Sequence, residues 1–458
     1  MSVEARQLGG AERQALLTDL YELTMAAAYF ENGIDRPATF ELFIRSLPSS
    51  RGYLLAAGLE QALDYLENLA FSSEEIDFVR RHPAFTHVRD EFFDFLGQLR
   101  FTGEVWAVAE GMPVFALEPL LRVTAPIIEA QIVETFLLTT ITFQTLIATK
   151  AARVVQSAAG REVVEFGSRR ANGPQAGVLA ARAAYIGGCI GSSNVEAHYR
   201  FGVPSFGTLA HSFVMAYESE EQSLLDFSGV FPEHAVLLLD TYDTLAALDH
   251  VIAAGIRPPG VRLDSGDLVA LSKEVRTRLD RAGLTSTRIF ASGDLDEVSI
   301  AALLAAGGPI DAFGVGTALA TSQDAPSLSG VYKLVEFDRG PRIKLSHDKL
   351  SYPARKQVFR SIENAICVGD TIALADEALT GEPLLACVMQ EGERLAASPK
   401  LAEIQQRATQ ALRSLPPDVR ALQHAARYPV HLSRRLGELW KVLRSSRAEP
   451  ALIKSDQR

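Results

Sequence analysis

The feature that most constrains this chain is a rhythm. Between about residues 160 and 318, short apolar runs alternate with helical patterns, and each run ends on a small or polar residue. VVEF ends at Phe166 and leads into GSRRA, CIGSSN ends at Asn194, and VPSFG leads into TLAHS. AVLLLD ends at Asp240, GVRLD at Asp264, RIFAS at Ser292 and DAFGVG at Gly316. The helices between them carry their own start and stop signals. Asp243 precedes Leu245, Leu248, Val251 and Ile252 on one face, with Gly255 after them; Asp267 precedes Leu271, Val275 and Leu279, with Gly283 closing. Repeated strand–helix units imply parallel strands joined by right-handed crossovers. Seven such strand ends predict an irregular parallel α/β barrel; an open doubly wound sheet is the alternative.

The flanks read differently. TFELFIRSL, FTGEVWAVAE and PLLRVTAP before the barrel, and GVYKLVEF, RIKLS, DTIALAD and LLACVM after it, are strand-like, and a long amphipathic helical tail follows. The expected organisation is an N-terminal α/β domain over 1–128, the barrel over 129–330, and a segment over 331–458 that completes the N-terminal domain. A hydrophobic fraction of 47% supports a large core and excludes global disorder. The formal net charge of −11 makes a general nucleic-acid binder a poor fit. Cys189, Cys367 and Cys387 are odd in number and scattered, which excludes a disulfide framework or a CxxC metal site and fits a reducing cytoplasm. The polar first residues are not expected to be a signal peptide. The apolar stretch Ile132 to Ala148 carries Glu134 and Gln144, so it is expected to be a buried helix rather than a membrane span.

In a parallel barrel, chemistry sits on the loops after the strands. The residues there are cationic or amide-bearing, suited to anions, or carboxylates, suited to ribose hydroxyls or Mg²⁺: a sugar-phosphate site rather than a hydrolase triad. SGD at 292–294 and GVG at 314–316 form two successive glycine turns and predict a phosphate cradle. In VRLDSGDL, Arg262 and Asp264 are two apart on a strand and share a face, where they either bind ligand or form a structural salt bridge. EFGSRRA offers Phe166 as a stacking face and Arg169 and Arg170 as forks for a carboxylate or phosphate. His211, in GTLAHS, sits at a strand end among small residues, as a candidate acid, base or nucleophile. LLLDTYDT matches the diphosphate loop of Rossmann-like transferases only loosely, since Asp240 and Asp243 are separated and no glycine follows.

Taken together, LLTDLYELTMAAAYFENG at 16–33, EFGSRRA, GSSNVEAHYRFGVP at 191–204, GTLAHSF, GVRLDSGDL and GVYKL at 330–334 resemble nicotinate phosphoribosyltransferases, in order and from about residue 14 to Trp440. The resemblance implies an irregular barrel with a second α/β domain from both chain ends. It also implies a reaction: nicotinate, phosphoribosyl pyrophosphate and ATP give nicotinate mononucleotide, pyrophosphate, ADP and phosphate, in NAD salvage, with Mg²⁺ carried by the pyrophosphate substrate. The histidine phosphorylated in that family corresponds to His211. Phe166 would stack on the pyridine ring, and Tyr21 would be donated by the neighbouring subunit of a homodimer. Arg169 and Arg170 would read carboxylate or phosphate, and their Arg-Arg pair, where nicotinamide-using relatives have Arg-Gly, favours the acid. Arg262 and Asp264 would face the phosphoribosyl group. Ser192, Asn194, Thr208, Ser292, Gly293, Asp294, Gly314, Gly316 and Lys333 complete the expected substrate contacts. Ser168, Asn172 and Gln175 depart from the family pattern. A nicotinamide- or quinolinate-type transferase, or a catalytically silent phosphoribosyl-binding protein, are the alternatives; a phosphorylatable His211 argues against the quinolinate type, which needs no ATP.

Overall fold

The computed structural model describes residues 14–345 and 351–448. The described chain divides into two compact units. One is Ile147–Pro326; the other is made of the segments before and after it. The expected boundaries near 128 and 330 thus lie at 146/147 and 326/327. The first division falls inside the helix Glu134–Ser157, whose early residues Phe136, Leu137 and Ile141 pack into the second unit's core.

The barrel unit holds six parallel strands: Glu162–Glu165, Gly191–Ser192, Val236–Leu238, Gly260–Leu263, Arg288–Ala291 and Ala312–Val315. Counting along the chain, their order in the sheet is second, first, sixth, fifth, fourth, third. The last strand therefore pairs with the first, Val315 opposite Glu165, which is the ring order of a barrel and not of a doubly wound sheet. Among the described residues one seam, between the second and third strands, has no strand ladder. The seventh expected strand, VPSFG, contributes there only the isolated bridge Ser192↔Ser205, made by the Ser192 N–H donating to the Pro204 carbonyl and the Ser192 carbonyl accepting from the Phe206 N–H. Val163, Val164, Leu237, Val261, Leu263, Ile289, Phe313 and Val315 are buried.

Two crossover helices start where the sequence predicts, at Asp243 and Asp267, and a third is capped by Asp296, which was not singled out in the sequence. Asp243 accepts the N–H groups of Leu245 and Ala246 at 3.0 and 2.8 Å, Asp267 those of Val269 and Ala270, and Asp296 those of Val298 and Ser299. Each side chain occupies donors that a helix start leaves without partners.

The second unit joins both chain ends in one sheet. Pro37–Ile44 lies antiparallel between Gly330–Phe337 and Pro119–Pro126, and Glu104–Val108 and Leu385–Gln390 extend it. Lys356–Glu363 and Ile366–Leu374 form a second sheet, edged in parallel by Val430–Leu432. RIKLS is not a strand over its described residues 342–345, and the helical tail is two helices, Leu401–Arg413 and Arg434–Ala448, with Pro416 and Pro417 between them. Among the described residues no helix is long and apolar enough to cross a membrane.

Candidate active site

The site is built on the ends of the barrel strands, and its hub is Arg262. Arg262 and Phe290 are register partners on adjacent strands, and the guanidinium reaches residues at and beyond the strand ends. It donates from Nε to Ser292 Oγ at 2.7 Å, from Nη1 to Thr208 Oγ1 at 2.8 Å and from Nη2 to Asp264 Oδ1 at 2.6 Å. Ser292 Oγ itself donates to Asp264 Oδ1 at 2.5 Å. The salt bridge and the ligand-facing role weighed from the sequence are therefore not exclusive. Asp264 is bridged on Oδ1, while Oδ2 lies 3.9 Å from His211 Nε2. Burial pushes the Asp264 pKa up, but the Ser292 hydroxyl, Arg262 and His211 outweigh it and hold the carboxyl below the usual range.

His211 begins the short helix His211–Met215. Its Nδ1 lies 3.2 Å from Thr241 Oγ1. Its other ring nitrogen, Nε2, is the one on the Asp264 side. His211, Asp240 and Asp264 present ligand atoms within 4.8 Å of one another. Asp240 Oδ2 accepts from Ser265, whereas its buried Oδ1 has no hydrogen-bond partner among the described residues. An orphaned carboxylate oxygen beside a second carboxylate fits a hard divalent ion such as Mg²⁺.

Phe166 lies above this network. Its ring centroid is 5.5 Å from that of Phe290, and Arg262 Cζ is 5.7 Å from its ring. Gly314 makes room: a Cβ there would stand 2.6 Å from Phe166 and 2.8 Å from Phe290. Gly293 has φ +94°, and a Cβ on it would meet the Asp264 carbonyl oxygen at 2.0 Å; Asp294 follows with φ 45°. Gly316 precedes the short helix Thr317–Ala320. Arg169 and Arg170 sit on the exposed turn Ser168–Arg170 and make no ion pair with a described residue.

Ser192 and Asn194 are placed otherwise than as free ligand contacts. Ser192 is fully buried, its hydroxyl given to Glu165 at 2.5 Å. Asn194 caps Val195–Phe201 through Oδ1 and donates from Nδ2 to Ser168 Oγ at 3.1 Å, which gives the departing residue Ser168 a partner. Tyr21 and Lys333 belong to the second unit. They line a cavity of about 570 Å³ there with Phe40, Glu134, Arg342 and Lys344. Burial and Glu134 raise the Tyr21 pKa. Thr241, Ser265 and Phe290 were not singled out in the sequence; their signal is only that each lies at or beside a strand end.

Comparison with known proteins follows the same division. The model of the nicotinate phosphoribosyltransferase N-terminal domain matches residues 16–142, that of the quinolinate phosphoribosyl transferase C-terminal domain 147–325, and that of the nicotinate phosphoribosyltransferase C-terminal domain 377–440. Fold, site and matches define a phosphoribosyltransferase of the barrel class. A nicotinate phosphoribosyltransferase of Mycobacterium tuberculosis, pncB2, is 47% identical over 95% of both chains, and one of Bacillus subtilis is 38% identical over 92% of this chain and 93% of its own. The crystal structure of human nicotinic acid phosphoribosyltransferase superposes with a TM-score of 0.82 at 31% identity, over 93% of this chain and 99% of that one. A nicotinate-nucleotide pyrophosphorylase from Pyrococcus furiosus gives 0.73 at 26%, over 90% and 98%. The chain belongs to the nicotinate phosphoribosyltransferase family.

Proposed function

We propose that this chain moves the phosphoribosyl group of phosphoribosyl pyrophosphate onto the ring nitrogen of nicotinate, with ATP phosphorylating His211 during turnover. The observation that carries the reading is the Arg262–Asp264–Ser292–Thr208 network beneath the Phe166 ring, with His211 on its edge. The bond from ribose carbon to pyrophosphate breaks while the bond to the ring nitrogen forms, and positive charge builds on that carbon. Asp264, held ionised by its partners, faces that charge without needing to reorganise. Arg169 and Arg170 offer forks to the nicotinate carboxylate. Asp240 and Asp264 would hold the Mg²⁺ that accompanies pyrophosphate, which there supplies charge neutralisation to the departing diphosphate. His211 Nε2 takes the phosphoryl group of ATP, releasing ADP; water later cleaves the phosphoramidate and releases phosphate. Tyr21 is supplied by a second copy of the chain in a homodimer.

The test offers nicotinate, nicotinamide or quinolinate with phosphoribosyl pyrophosphate, Mg²⁺ and ATP, and identifies the mononucleotide. Nicotinate mononucleotide with ADP is expected; preference for either other base sinks the reading. Labelled ATP should leave acid-labile, base-stable phosphate on the protein, absent from His211→Asn. Acid-stable label on Ser212 would remove the phosphohistidine and leave the transferase standing.

A further inference from the structure

Glu165 closes the first barrel strand with its side chain fully buried. From the sequence it belongs with the carboxylates at strand ends that suit ribose or Mg²⁺. The structure turns it inward, onto the protein. One carboxylate oxygen accepts the Gly167 N–H and the other the Ser192 hydroxyl at 2.5 Å. Ser192 Oγ accepts in turn from the Asn194 N–H at 3.0 Å, and the Glu165 carbonyl accepts from Ser193 N–H at 2.9 Å. The Ser192 backbone then clasps the following segment, through Pro204 at 3.0 Å and Phe206 at 2.9 Å. One buried carboxyl thus stands where three loops meet. They carry Phe166 with Arg169 and Arg170, Asn194, and Thr208 with His211.

Burial raises the Glu165 pKa, and only the neutral groups Ser192 and Gly167 oppose that. Such a group costs stability unless every bond it makes is kept. A buried polar group that merely specifies the fold is the competing explanation. Two features favour a role in the site. Gly167 cannot carry a side chain of its own, since a Cβ would stand 2.3 Å from Ala320 and 2.7 Å from the Gly316 carbonyl oxygen. The turn that aims Phe166 and the two arginines is therefore held from within by Glu165. The same carboxyl also fixes Ser192, so the arginine turn and the segment leading to Thr208 share one anchor.

We propose that Glu165, acting through Gly167 and Ser192, is a positioning residue that sets the Phe166 ring and the Arg169–Arg170 turn against the Thr208–His211 loop, and so governs affinity for the aromatic acid. The proposal rests on the reading of this site as the nicotinate site. Three variants test it: Glu165→Gln, Glu165→Leu and Ser192→Ala, with KM for each substrate and kcat measured separately and folding checked by circular dichroism. Gln keeps an acceptor for Gly167 and turns the Ser192 bond round, since a hydroxyl can donate or accept; its KM for nicotinate should stay within about threefold of the parent. Leu releases the turn, and a misplacement approaching an ångström should raise KM for nicotinate by about tenfold or more. The KM for phosphoribosyl pyrophosphate should move far less. Should Leu fail to fold, Ser192→Ala removes only the hydroxyl, which donates to Glu165 and accepts from the Asn194 N–H, and should raise KM for nicotinate by at least about threefold, with kcat held, the pattern of lost ground-state binding. Unchanged KM in Ser192→Ala, equal shifts for both substrates, or a fall in kcat alone would overturn the positioning role and leave the transferase reading intact. A parent enzyme inactive on nicotinate would overturn both.

Discussion

Arg262 shows how much a single residue can be asked to hold. Its three donating nitrogens are taken by Ser292, Thr208 and Asp264, so the charge is oriented before any ligand arrives. Ser292→Ala removes the one hydroxyl that bonds both Arg262 and Asp264. Loss of a hydrogen bond to charged groups is worth about 1.5–3 kcal/mol, so kcat/KM should fall by roughly 10- to 150-fold. Steady-state kinetics with a thermal melt decide it, and an unchanged kcat/KM would remove Ser292 from the network. Glu22 gives a pH prediction in the second unit. Burial pushes its pKa up to about 7, against the hydroxyls of Thr18 and Thr135. In the unfolded chain it ionises near its ordinary value, so the native state holds the proton longer. The stability this contributes is present at low pH and is lost as pH rises from that ordinary value through about 7. The unfolding midpoint should decline between about pH 5 and about pH 8, and Glu22→Gln should flatten that decline; parallel profiles would show that Glu22 is not the group. At this scale Arg262 and Asp264 were legible because residues two apart on a strand share a face. Thr241 was not, since its approach to His211 is made by two loops meeting in space, and the segment carrying it was read for its strand end at Asp240, its helix start at Asp243 and a motif it does not match. Ser192 was legible as a strand-end residue and not as a buried one, because nothing in GSSN tells a hydroxyl which way to turn.

The elements of the barrel were legible where local chemistry dictates them. Aspartate at a helix start, glycine at its end and a short apolar run before it are each set by a few neighbouring residues, and the caps at Asp243 and Asp267 both form. Asp243→Ala should lower unfolding free energy by about 1 kcal/mol, while Asp243→Asn should leave it nearly unchanged, because the amide oxygen can still accept. Denaturant melts compare the two; equal losses would mean that charge and not the cap is at work. Elements that depend on pairing were not legible. VPSFG has strand composition, but its partner is the two-residue strand Gly191–Ser192, and Gly191 admits no side chain against the Pro204 carbonyl oxygen, 2.1 Å from where a Cβ would stand. The contact is close and short, which leaves a bridge and no ladder. The tail reads as one amphipathic helix by periodicity, yet Pro416 and Pro417 interrupt it and the chain supplies the strand Val430–Leu432 before helix resumes.

At the scale of the whole molecule, the second unit needs both ends of the chain, since Pro37–Ile44 is paired on one side by Gly330–Phe337. That closure was legible because strand-like flanks on either side of a barrel must pair with something. Tyr21 and Lys333 share a cavity in this unit, while Phe166, Arg262, Asp264 and His211 share the other. The proposed homodimer supplies Tyr21 to its neighbour's barrel, and that gives a test by complementation. Tyr21→Ala and His211→Ala should each be inactive or nearly so as pure proteins. When the two are co-expressed in equal amounts, random pairing makes half of the dimers hybrids. In a hybrid, one site has lost both residues and the other has lost neither. The mixture should therefore show about a quarter of the parent activity, one good site in two within half of the dimers. Separately tagged chains allow the hybrid to be purified, and its activity should rise to about half. An inactive hybrid, or a chain that is monomeric by light scattering while fully active, would show that each copy completes its own site.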